Sequence, residues 1–115
     1  MVNSNNAHIQ NTAYAIKNLI EPYILNLTSD NEFILSGSDC YLTVTLTDLD
    51  LNPVAGELLW YKIIDSMGDA WVEGTIFTDE YGTAEFNYMD EGAGDVTVHV
   101  WGRMFLHETC EITVN

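Results

Sequence analysis

The side chains of this sequence that could carry chemistry are few and scattered. His8, His99 and His107 are its only histidines. They do not fall into a metal-ligating spacing such as HExxH, and His99 with His107 would give only two ligands, a poor zinc site. Serine, histidine and aspartate are all present, yet no GxSxG elbow presents a nucleophile and no glycine-rich loop precedes a helix to cradle phosphate. Nothing positions the carboxylate pair that glycoside hydrolysis needs. Asp48, Asp50 and Asn52 alternate in the manner of oxygen ligands in a calcium loop, but the run lacks the Gly and distal Glu of an EF-hand, and turn chemistry accounts for it. We therefore assign no catalytic residue, no cofactor and no metal, and expect a non-enzymatic chain.

Binding chemistry is better represented. In Val96–Trp101 the valines at 96, 98 and 100 alternate with Thr97, His99 and Trp101, so the latter three face away from the core. A three-residue bend at 103–105 pairs Trp101 with His107, His99 with Thr109 and Val98 with Cys110, which keeps inward residues opposite inward residues. Cys40 shares parity with Leu42 and Val44, and Cys110 with Ile112 and Val114, so both thiols point into the core. A bond between them would close a loop of about 70 residues and stabilise by about 4 kcal/mol in the chain-entropy model. The other expectation is two buried free thiols acting as small apolar residues. Asn26–Leu27–Thr28 is a glycosylation sequon, meaningful only if the chain is exported.

The elements that position these residues are mostly strands. Tyr23–Thr28, a short piece at Phe33–Leu35, Cys40–Thr47, Glu57–Ile64, Ala70–Thr78, Thr83–Tyr88, Val96–Trp101 and Leu106–Val114 are apolar or alternating runs. They are separated by turns rich in Asp, Asn and Gly. With the short piece read as a continuation of the first run, that is about seven strands. Closely spaced strands with no βαβ alternation predict an all-β, immunoglobulin-like Greek-key β-sandwich over residues 23–115. Residues 1–22 form a separate segment. Ile9, Ala13, Ile16 and Ile20 lie on one stripe of a short α-helix that Pro22 stops. That stripe packs on the sandwich, pairs with copies of itself as an oligomerisation device, or belongs to a linker.

Composition narrows the partners. The chain has 115 residues, room for one domain and one core, and 47% of them are apolar, which argues against wholesale disorder. Three basic against eighteen acidic residues leave a net charge of −15. Such a chain repels nucleic acid and anionic membranes. No stretch is long enough for a membrane-spanning helix, so direct membrane insertion is not expected. The N-terminus lacks the basic start and apolar core of a signal peptide. Either an export signal lies outside this chain or it leaves the cell another way, such as inside a virion.

From about Asp39 onward the chain resembles the bacterial immunoglobulin-like domains, group 1, found in invasin and intimin and in archaeal adhesin-like proteins. The resemblance rests on LTVTLTDLDLNPVAG at 42–56, TDEYGTAEFNY at 78–88 and GAGDVTVHV at 92–100. Leu51 stands where that turn often carries Gly, which suggests a different turn conformation here. The resemblance implies that Leu59, Tyr61 and Ile63 face the core, so that Trp60 and Lys62 face out beside His99 and Trp101. Trp60, His99, Trp101 and His107 would then form one interaction face. A bulge that swings Trp60 inward, or cover from residues 7–21, would instead make the tryptophans core. The family implies an adhesion, protein-interaction or spacer module on a cell surface. A structural subunit of a tailed virus and a carbohydrate-binding module are the alternatives, so the partner is expected to be a protein, a second copy or a glycan.

Overall fold

The computed structural model describes residues 23–103 and 106–115. The predicted helix, with Ile9, Ala13, Ile16 and Ile20, lies outside them. The described residues form eight strands: β1 (Tyr23–Ser29), β2 (Phe33–Ile34), β3 (Asp39–Asp48), β4 (Leu58–Asp65), β5 (Ala70–Phe77), β6 (Thr83–Met89), β7 (Val96–Trp101) and β8 (His107–Val114). They make two sheets, one in the order β1-β3-β6 and one in the order β2-β8-β7-β4-β5. All pairings are antiparallel except the short β2–β8 pair.

Period-two patterning explains the packing. Leu42, Val44 and Leu46 of β3 face Leu59 and Ile63 of β4, Val98 and Val100 of β7, and Ile112 of β8 across the core, all fully or almost fully buried. Ala84, Phe86 and Tyr88 supply the inward face of β6. Cys40 and Cys110 lie on strands of opposite sheets, buried in this core, and both are free thiols. The Cys110 thiol turns toward the Glu32 carboxylate at 3.7 Å rather than to Cys40. Burial, then the Glu32 charge, pushes it up to about 11, so it stays protonated and unreactive at neutral pH.

The short run at Phe33 does not continue β1. It crosses to the other sheet and lies parallel to the end of β8, with Phe33 opposite Thr113 and Ile34 opposite Val114. The bonds Ser36 N–H to Asn115 O and Asn115 N–H to Ile34 O hold it there. The count is therefore eight strands, because a two-residue strand fixed by backbone bonds leaves no side-chain period to read.

Three connections, β3 to β4, β4 to β5 and β5 to β6, repeat one turn. Asp48, Asp65 and Asp79 each accept, on one carboxylate oxygen, the N–H groups two and four residues on. Each also accepts at its carbonyl from the residue three on, which sits at positive φ: Leu51 at 69°, Gly68 at 89° and Gly82 at 72°. Leu51 thus adopts the left-handed conformation that glycine favours, not the different turn its identity suggested. The Asp48 carboxylate, which also accepts from the Asn52 amide at 3.2 Å, holds that turn whatever stands at residue 51. The same bonds occupy the carboxylate of the Asp48–Asn52 run and hold Asp48 below the ordinary carboxylate range, while Asp65 is held below it by the Trp71 indole N–H first and then by its turn's backbone N–H groups. Three of the chain's eighteen acidic residues are therefore turn chemistry.

Candidate functional site

On β4, Leu59 and Ile63 are fully buried and Tyr61 packs partly buried against the core, so Leu58, Trp60, Lys62 and Ile64 take the opposite face. On β7, the buried valines leave Thr97, His99 and Trp101 outward. The two strands are direct neighbours, with Trp60 opposite Trp101 and Lys62 opposite His99. No bulge intervenes over Trp60–Ile63, so Trp60 does not swing inward. Both tryptophans are half-buried. β8 brings in His107 opposite Trp101 and Thr109 opposite His99, with Val98 opposite Cys110, the register that the three-residue bend predicts.

The frame around these residues is tightly specified. Gly102 leaves the Leu59 side chain no room for a Cβ, which would stand 2.9 Å from Leu59 Cδ2. Arg103 donates two bonds of 3.0 Å to the buried carboxylate of Glu57, a fork that ties the β7–β8 bend to the start of β4. Lys62 pairs with Glu73 of β5 at 3.3 Å. Lys62 and Arg103, the lysine and arginine among the described residues, are thus both matched by carboxylates.

Two outward apolar residues were not singled out from the sequence. Phe77 is 65% exposed and stands opposite Leu58 on the same face, extending the tryptophan pair toward β5. Parity carried back from Trp60 through the β4–β5 hairpin leads to it, but the hairpin contains a bulge that breaks the count. That bulge, between Ile63 and Ile64, falls opposite Trp71. Trp71 bonds the Asp65 carboxylate through its indole N–H at 2.8 Å and lines a groove with β6, so it is not part of the Trp60–Trp101 face.

His99 Nδ1 and His107 Nε2 lie 3.1 Å apart, with ring centres at 5.4 Å. The ring centres are farther apart than the nitrogens, so the rings meet edge to edge. One nitrogen must donate and the other accept, and two imidazolium rings would set N–H against N–H. Burial, then His107 and Lys62, holds His99 below its ordinary range. An unfolded chain therefore binds more protons than the folded one just below pH ~6.5, and this site's contribution to stability falls as pH drops through that window. In the His99→Gln variant, the fall in melting temperature between pH ~7.5 and ~5.5 should be smaller than in the wild type. An unchanged or steeper fall would contradict the pairing.

This site offers flat aromatic area, a polar histidine pair and a neutralised lysine. Among the described residues no group of three or more His, Cys, Asp or Glu converges to hold a metal.

Solved structures share this fold. Escherichia coli alpha-2-macroglobulin in its native conformation superposes with a TM-score of 0.70 at 14% identity, over 81% of this chain and 6% of that one. The Yersinia pseudotuberculosis adhesin InvE does so with a TM-score of 0.62 at 17% identity, over 82% of this chain and 32% of that one. The CARDB domain of the Pyrococcus furiosus protein PF1109 matches with a TM-score of 0.52 at 8% identity, over 81% of this chain and 87% of that one. This chain thus spans a small part of the first two. At such identities the likeness is one of fold. No family model matches the sequence, and no curated protein matches it.

Proposed function

We propose that this chain is a non-enzymatic immunoglobulin-like module of the invasin and intimin type, displayed outside the cell for adhesion or protein interaction. The observation that carries this reading is the outward pairing of Trp60 with Trp101, extended by Leu58 and Phe77, on a fold shared with an adhesin. Paired tryptophans on a sheet's outer face are costly to leave in water and are enriched where partners bind. The partner meets the sheet formed by β4, β7 and β8, with His99 and His107 as polar contacts. The net charge of −15 keeps such a module soluble and steers it away from nucleic acid and anionic lipid.

Antibodies against the chain should label intact cells of the source organism, and the signal should disappear after the cell surface is shaved with protease. Labelling that requires permeabilised cells would contradict display. Labelling of purified virus particles instead would move the assignment to a virion subunit.

A further inference from the structure

We propose that the open edge of β5 is a second interface, one that takes an extended, lysine- or arginine-bearing peptide strand by strand addition. The five-stranded sheet ends at β5. Thr78 N–H donates to Glu57 O at 3.1 Å and Thr78 O accepts from Gly56 N–H at 2.8 Å, so residue 78 directs its backbone groups toward the β4 side. By the alternation of an antiparallel ladder, Ile76, Gly74 and Val72 do the same, and Phe77, Thr75 and Glu73 direct theirs to the free edge. Among the described residues no backbone or side-chain hydrogen bond reaches these three from that edge.

Edge strands are ordinarily blunted by lysine, proline or a bulge. β5 has neither lysine nor proline, and its bulge lies at one end, which leaves Val72–Phe77 in unbroken register with β4. The flank beside it is open too. There the two sheets meet mainly through Tyr61, which lies over Gly74 and stacks on Phe86 with ring centres 4.1 Å apart. Next to this stack a groove of about 290 Å³ runs between β5 and β6, lined by Trp71, Val72, Asn87, Tyr88, Met89 and Glu91. The Tyr88 hydroxyl is buried and has no hydrogen-bond partner among the described residues. A strand added to β5 would direct every second side chain toward this groove.

Charge selects the occupant. Glu85 lies on β6 and Glu91 at the groove, while Glu73 on the edge strand is already paired with Lys62. The turns at the two ends of β5 carry Asp65 and Asp69, and Asp79 and Glu80. A second copy paired antiparallel through β5 would set the Asp65 and Asp69 turn of each chain against the Asp79 and Glu80 turn of the other, at −15 per chain. A cationic strand meets the same groups favourably. This edge adjoins the tryptophan face at Phe77, but it binds through the backbone of β5 and not through the Trp60 and Trp101 rings, so either interface can fail alone.

The test is a titration of the isotopically labelled chain, followed by amide NMR, with a blocked seven-residue peptide of alternating lysine and valine. The amides of Glu73, Thr75 and Phe77 should shift and exchange more slowly, and the Trp71 indole signal should move. Methylating alternate backbone nitrogens of the peptide should weaken binding at least tenfold, and a glutamate–valine peptide should not bind. The proposal is overturned if the methylated peptide binds equally well or if the shifts fall on Trp60 and Trp101 instead. It is also overturned if the three amides are already protected in a chain that self-associates with concentration.

Discussion

Replacing Gly82 with alanine should destabilise the fold by about 3–4 kcal/mol, a loss of about 15 °C in melting temperature. Gly82 holds φ at +72°, and a Cβ there would stand 2.5 Å from the carbonyl oxygen of Leu46. That oxygen already accepts from Val54 N–H at 3.0 Å, and Gly82 O accepts from Leu46 N–H at 2.7 Å. The methyl group would have to displace backbone, not a flexible side chain. The left-handed conformation costs an alanine roughly 1–2 kcal/mol, and each of the two backbone bonds lost adds about 1 kcal/mol. The sister turn runs the other way. Leu51, 71% exposed at φ 69°, already carries that conformational cost. Leu51→Gly relieves it against an unfolded-state entropy cost of about 0.5–1 kcal/mol, so it should be neutral or stabilising by about 0.5 kcal/mol. Thermal melts of the two variants should therefore move in opposite directions or, for Leu51→Gly, stay still. A mild Gly82→Ala would mean that the β3–β4 and β5–β6 connections are not packed as described.

The second large effect concerns binding. If Trp60 and Trp101 are the partner's anchors, each truncation to serine should cost about 2 kcal/mol of affinity, roughly thirtyfold. The fold should tolerate it, because both side chains lie on the face opposite Leu59, Ile63, Val98 and Val100, and half-buried outward residues contribute little to the core. Trp71→Ser should leave that affinity unchanged, since Trp71 is held against Asp65 at the other edge of the hairpin.

Much of this face was legible before any coordinates. The valines of β7 fix the parity of His99 and Trp101, and one bend length that keeps Val98 opposite Cys110 fixes β8 on β7. The orientation of Trp60 came from the family resemblance together with the same alternation. What escaped the sequence has physical reasons. β2 changes sheets through backbone bonds that leave no pattern in side chains. Leu51 looks wrong for a left-handed turn because the evidence for that turn lies in Asp48, three residues earlier. Trp71 went unplaced because the bulge beside it breaks period two without a glycine or proline to announce it. The Glu57–Arg103 fork joins residues 46 positions apart, and nothing local marks Glu57 as buried.

The measurement that bears most directly on the central claim is an equilibrium titration of the labelled chain onto intact, surface-exposed cells, with wild type beside the Trp60→Ser/Trp101→Ser double variant. Circular dichroism of both proteins accompanies it. The account predicts saturable wild-type binding, a variant weaker by at least a hundredfold and superimposable spectra. A natively folded variant that binds like the wild type would place recognition elsewhere on the module. A variant that has lost the native spectrum would make the two tryptophans part of the core.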